Sequence, residues 1–329
     1  MAAIAASVDV AQKTPRIGIL DTARGAALLA MASYHGTWDF EFFGYLDSGT
    51  AETGWLKLYA RAIASTFLFL AGFSLVLANT PEIRWRSYWR RLGMIVAAAA
   101  AISLVTFIGM SDEWIFFGIL HGIAAASLIG LLFLRLPAFL TLLVAALLTV
   151  GIVIDNVIAP LSLHSTFFDT PWLWWVGLSE NIQRSNDYVP LFPWLTPFLF
   201  GLGIAQLATS LGWTKQLAKF GPGRNLVALA GRHSLIFYLV HQPVLFGLVY
   251  LLSLVAPAPP QDPTVGYIRQ CVASCTRSGS EAMCRSFCQC TLDKLQAQNL
   301  FKSLESGAIK ADSDERVSRI AIQCTDEAQ

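Results

Sequence analysis

The chain has 329 residues, 55% of them hydrophobic and 14% charged. A soluble globular domain carries roughly 25% charged residues, and the mean hydropathy of +0.54 also argues against one. With a formal net charge of +1 and its basic residues in loops rather than in a stripe, the chain has no electrostatic footprint for nucleic acid, and none is expected as a partner.

The apolar residues fall in long blocks of the kind that read as membrane-spanning helices. Met1 to Pro15 lack a secretory signal, because Asp9, Gln12 and Lys13 interrupt the apolar start. This segment is expected to stay in place, with the first span as targeting signal. Spans are predicted over Ile17–Trp38, Tyr59–Leu77, Leu92–Met110, Trp114–Leu134 and Ala138–Ile154. An irregular stretch from Asp155 to Pro190 follows, and its Trp172, Trp174 and Trp175 suit a membrane–water boundary. The last two spans are predicted over Leu191–Leu211 and Ser234–Val255. The fold class is therefore all-α, a polytopic bundle of about seven spans.

The loops set the orientation. Lys13 and Arg16 precede the first span, and Arg84, Arg86, Arg90, Arg91, Arg135, Lys215, Lys219, Arg224 and Arg232 fall on the same side. The opposite side has only Lys57, Arg61 and Arg184 near spans. The positive-inside rule places the N-terminus in the cytoplasm and, after seven crossings, the C-terminus outside.

Cysteine usage agrees with that placement. Cys271, Cys275, Cys284, Cys288, Cys290 and Cys324 all follow the last span, and an even set in a short polar segment suggests disulfides in an oxidising compartment. Two pairs spaced one helical turn apart, on two short antiparallel helices, fit Cys271 with Cys288 and Cys275 with Cys284. Cys290 is left for Cys324. This is one of fifteen connectivities. A zinc site is the rival, but the tail has no histidine and no CxxC spacing, so no metal is expected. The expected organisation is a cytoplasmic segment over 1–15, a membrane domain over 16–255, a proline-rich spacer over 256–265 and a disulfide-rich, helical tail over 266–329.

Charged groups inside spans are costly and are functional candidates by default. The first span carries Asp21, Arg24, His35 and Asp39. Arg24 and His35 are eleven residues apart, close to three turns, so they share a face roughly 16 Å apart along the axis. Asp21 and Arg24 can pair at i,i+3, and His35 and Asp39 at i,i+4. A carboxylate beside an imidazole orients it as a general base. The bland reading is a snorkelling Arg24 ion pair and a His35 that only bridges helices. His121 and His241 lie within spans and need partners. His164 and His233 are expected in solvated loops. Asp155 and Asn156 are expected to cap the fifth span, and Asp187 to sit in a turn facing the site.

Arg16 to His35 with Trp38-Asp39, Ile119-Leu-His-Gly122, Asp187-Tyr-Val-Pro-Leu-Phe-Pro-Trp194 and Ser234-Leu-Ile-Phe-Tyr-Leu-Val-His-Gln-Pro243 together resemble a bacterial inner-membrane family. That family is related to the catalytic domain of heparan-alpha-glucosaminide N-acetyltransferase. The resemblance covers roughly residues 16 to 252 and leaves out the cysteine-rich tail. It extends to a wider group of membrane acyltransferases with an arginine and a histidine in the first span that have ten residues between them, a spacing that Arg24 and His35 match.

The resemblance implies acetyl-CoA as donor from the cytoplasm and a glycan or amino sugar as acceptor on the far side. It implies His35 as the catalytic residue, which Asp39 would orient, and Arg24 as the residue that holds the donor or organises the pore. Asp21, His121, Asp187 and His241 would line the substrate path. Membrane lipid is the other expected partner, and self-association stays open. The alternative is a non-enzymatic transport or scaffold protein whose intramembrane polar residues are structural.

Overall fold

The computed structural model describes residues 17–219, 225–260, 262–276, 279–311 and 313–328. The N-terminal segment with Lys13 and Arg16, together with Arg224 and Gln261, lies outside them. The first part is built from α1 (Gly18–Phe42), α2 (Gly54–Ala78), α3 (Trp85–Gly109), α4 (Ile119–Phe133), α5 (Ala138–Val153), α6 (Leu191–Ser210), α7 (Trp213–Ala218), α8 (Leu226–Arg232) and α9 (Ser234–Val255). The second part comprises α10 (Pro263–Cys275), α11 (Glu281–Ala297), α12 (Phe301–Glu305) and α13 (Glu315–Ala328). Among the described residues there is no strand, only an isolated bridge between Phe117 and Tyr188.

Each of the seven predicted spans is a helix. Five are long and apolar enough to cross a membrane: α2, α3, α5 with its extension to Ile158, α6 and α9. The chain is a multi-pass membrane protein. Of the other two, α1 is 25 residues long but carries Asp21, Arg24, Asp39 and Glu41, and α4 is apolar but spans only 15 residues. The fifth span continues beyond its expected end as a π-helical turn, Ile154–Ile158. The spacer is shorter than expected, because Pro263 opens α10 at N1 and the Asp262 carboxylate caps the Thr264 N–H at 2.9 Å.

Helices α2 and α6 form the centre. They bury 50% and 44% of their apolar windows, against 11% for α9 and 17% for α5. Lipid is as apolar as leucine, so such a centre is held by close packing rather than by water exclusion. Glycine allows the approach. A Cβ on Gly72 would lie 2.1 Å from the Phe198 carbonyl oxygen, and one on Gly201 would lie 2.0 Å from that of Phe69. Around this contact Leu68, Phe198, Leu199 and Leu202 are fully buried. The outward faces of α3, α5 and α9 carry exposed Leu104, Ile108, Leu147, Leu248 and Leu251, as lipid-facing helices require.

The helices alternate, giving two poles. One pole gathers the start of α1, the α2–α3 and α4–α5 turns and the α6–α9 connection, and with them Arg84, Arg86, Arg90, Arg91, Arg135, Lys215, Lys219 and Arg232. We call it the basic pole. The other gathers the α1–α2 loop, Asp112–Gly118, the 159–190 connection and the tail.

The tail folds around Leu292, Leu295, Leu300, Phe301, Val317, Ile320 and Cys324. Its disulfides are Cys271–Cys288, Cys275–Cys284 and Cys290–Cys324, the connectivity that the spacing predicts. No cysteine is free. The tail docks on the α1–α2 loop, where Arg269 bonds the Asp47 carboxylate at 3.0 Å and Gln270 donates to the Ser48 hydroxyl at 2.8 Å.

Candidate active site

The first turn of α1 holds Asp21, where a helix N-terminus favours a carboxylate. Arg24 donates to Asp21 at 3.1 Å, the expected pair, and also to the Ser74 hydroxyl on α2. Arg232, at the end of α8, approaches the other Asp21 oxygen at 3.4 Å. Glycine again sets the geometry. A Cβ on Gly25 would strike the Val227 carbonyl, and one on Gly231 that of Asp21, so α8 lies backbone to backbone on α1.

Beside this cluster opens a cavity of about 420 Å³. Arg24, Arg91, Arg232 and His233 contribute its polar lining, and Leu28, Leu70, Ile119, Leu120 and Ile123 its apolar wall. Among the described residues no carboxylate lines it. Arg24 and Arg232 share Asp21 while Arg91 adds a third guanidinium to the lining, an arrangement that suits an anionic head with an apolar or extended tail. His233, expected in a solvated loop, is therefore a cavity residue. Of the arginines at the start of α3, Arg91 lines the cavity, whereas Arg84 donates to the Ala78 carbonyl at 2.9 Å and closes the end of α2.

Tyr238, in the cavity wall, leads to the centre of the seam between α1 and α9. Its carbonyl accepts from His241 Nδ1 at 2.7 Å. A carbonyl only accepts, so Nδ1 carries the hydrogen and Nε2 presents its lone pair. That buried Nε2 has no hydrogen-bond partner. The His35 ring lies edge-on to it, with centroids 5.1 Å apart. Pro243 brings no N–H to α9 one turn after Leu239.

The expected His35–Asp39 pair is not made. Asp39 is fully buried, and its Oδ1 accepts from Gln242 Nε2 at 2.7 Å. Asp39 Oδ2 and Gln242 Oε1 are buried without partners. The contact spans 203 positions of sequence and takes the place of the local option. Gln242 lay inside the recognised Ser234–Pro243 segment, which was the only signal for it.

Two further expected site residues have structural duties. His121 Nδ1 accepts from the Gly118 N–H at 3.2 Å, and its Nε2 lies 3.3 Å from the Ser103 hydroxyl. Both nitrogens are engaged, so His121 closes the start of α4. Asp187 accepts from the Ile119 N–H at 2.8 Å and holds the same helix end from the 159–190 connection, where the dipole favours it. His164, expected to be solvated, instead lies between the Asp155 carboxylate at 3.2 Å and the Ser179 carbonyl at 2.8 Å.

The family model for heparan-alpha-glucosaminide N-acetyltransferase, catalytic, matches residues 16–243. The chain belongs to that family. The matched stretch runs from the start of α1 to Pro243 and so holds the arginine cluster, the cavity beside it and the two facing imidazoles, while the tail lies beyond it. No curated protein and no solved structure matches the chain. Membership suggests a membrane acetyltransferase.

A second cavity, of about 580 Å³, opens at the tail pole. Trp38 and Glu41 of α1 line it, so along α1 it begins about one helical turn above His35. The seam of His35, Asp39, His241 and Gln242 therefore lies between two cavities, one reaching up to Tyr238 and the other down to Trp38.

Proposed function

We propose that the chain is an integral membrane acetyltransferase that passes an acetyl group from acetyl-CoA at the basic pole to a glycan or amino sugar at the tail pole. The observation that carries this reading is the imidazole pair between two cavities of opposite character. The basic pole would be cytoplasmic and the membrane a bacterial inner membrane, in keeping with the positive-inside rule. Residues 16–255 would form the acyltransferase unit, 256–262 the spacer and 263–329 the outer tail.

Arg91 and Arg232, with Arg24 deeper, meet the donor's phosphates. Leu28, Leu70, Ile119 and Ile123 shield the arm that carries the thioester toward Tyr238. His35 then acts in one of two ways. As base, it takes the proton from the acceptor's amine or hydroxyl while the new bond to the acetyl carbon forms. The carbon–sulfur bond breaks, and the CoA thiolate leaves to be protonated. As carrier, its nitrogen bonds the acetyl carbon first and releases the thiolate, and the acceptor then displaces the imidazole. His241 Nε2, its tautomer set by the Tyr238 carbonyl, faces the same space as a second base. Asp39 and Gln242 present one unpaired oxygen each to a charge that develops there.

The test is transfer of labelled acetyl from acetyl-CoA by the purified chain in nanodiscs, with His35→Ala alongside. Acceptor labelling by the wild type that falls by at least ~10²-fold in His35→Ala, within the range for a lost general base, supports the reading. Neither transfer nor acetyl-CoA binding would favour a transport or scaffold role.

A further inference from the structure

The tail lies outside the family match, yet it forms part of the outer cavity. Gln270, Ala273 and Ser274 of α10 face Trp38, Glu52, Glu113 and Arg184 of the membrane part across a space of about 580 Å³. That volume is within the roughly 300–1,000 Å³ of small-molecule sites. We propose that α10 completes a binding site for a polyhydroxylated, amine-bearing saccharide end, and that the tail thereby helps to select the acceptor. The inference rests on the acetyl-transfer reading only for calling this ligand the acceptor.

Three features support it. First, the lining is hydrogen-bonding: hydroxyls from Ser48, Thr53 and Ser274 and amides from Asn186 and Gln270 match a sugar's alternating donors and acceptors. Second, Glu41, Glu52 and Glu113 outnumber Lys57 and Arg184, which favours an ammonium over a carboxylate or sulfate. Glu41 is held by the Gly49 and Ala51 N–H groups at 2.5 and 2.7 Å, so its charge is fixed in place. Trp38, stacked on Phe42 with centroids 5.4 Å apart, adds an amphipathic ring for a pyranose face.

Third, α10 is fixed to the bundle as a site wall must be. Arg269 bonds both Asp47 and Thr50, Gln270 bonds Ser48, and the backbone at Gly266 lies against Ser48, where a Cβ would come within 3.0 Å. The disulfides Cys271–Cys288 and Cys275–Cys284 hold the same helix from its other side. Preorganisation of this kind reduces the ordering cost of binding.

The experiment measures binding of a glucosamine disaccharide to the full-length protein in nanodiscs by calorimetry, with acetyl-CoA binding measured separately. Ser274→Trp puts bulk into the cavity from an exposed tail position, and Gln270→Ala removes one amide. Disaccharide affinity is expected to fall at least tenfold in Ser274→Trp and severalfold in Gln270→Ala, with acetyl-CoA affinity unchanged in both and melting temperature unchanged in Ser274→Trp. A wild type that binds no disaccharide, or affinities indifferent to both variants, would overturn the proposal. Absent acetyl-CoA binding would count against the transfer reading alone, because the disaccharide measurement does not depend on it.

Discussion

Among the described residues of the tail, no buried side-chain polar atom lacks a partner: the Tyr267 hydroxyl donates to Thr291 at 2.9 Å, Lys294 pairs with Glu327, and all six cysteines are bonded. In the α1–α9 seam the opposite holds. Asp39, His241 and Gln242 are packed together, and each keeps a buried atom without a partner. A buried unsatisfied polar group costs about 1–3 kcal/mol, so three side by side make a destabilised place that the rest of the bundle must hold. The tail uses polar chemistry for stability, whereas the seam keeps polar atoms that packing alone does not use.

Changing the imidazoles should break that contrast most strongly. His241→Ala is expected to lower transfer by at least ~10²-fold, with only a modest fall in melting temperature, because the lost Nδ1–H bond to the Tyr238 carbonyl is offset by removal of the buried, partnerless Nε2. If transfer survived while the melting temperature dropped, the seam would be structural. Next in size is the tail. Cys290→Ser with Cys324→Ser opens a link between residues 34 apart and should destabilise the tail by roughly 2–4 kcal/mol. Proteolysis should then clip residues after 290 while acetyl-CoA binding persists.

A third test removes a partner inside the seam. Gln242→Leu leaves Asp39 buried without its hydrogen bond and should cost about 1–3 kcal/mol in thermal unfolding, whereas Gln242→Glu should be tolerated only when one of the two carboxyls holds a proton. The smallest effect concerns the 159–190 connection. Asp169 accepts from the Asn181 backbone and side chain, from Ser179 and from Glu180, which together hold its carboxyl down to about 2. A lowered carboxyl stabilises the loop above its unfolded value near ~3.9. That contribution should fade as pH falls through about 2, seen as faster amide exchange at Glu180 and Asn181. Asp169→Asn should show the faster exchange at neutral pH as well.

The sequence made the helices legible because long apolar blocks have few other solutions, and the disulfide pattern followed from one-turn spacings on two helices. The Asp21–Arg24 pair was legible for the same local reason. The rest depended on distant partners. Asp39 turned from His35 to Gln242 on another helix, and His121 and Asp187 both went to the open start of α4. Arg232 and His233 reached the inner cavity because Gly25 and Gly231 let α8 lie against α1. Each of these is decided by tertiary packing, which no periodicity in a single segment encodes.

If acetyl passes through the seam from one cavity to the other, donor and acceptor can stand on opposite sides of the membrane. Proteoliposomes with a glucosamine disaccharide trapped inside and labelled acetyl-CoA added outside test it directly. Labelled disaccharide is expected in the lumen, with CoA released only outside, and both are expected to be lost in His35→Ala. Labelling that appears only when donor and acceptor share one side of the membrane would contradict it.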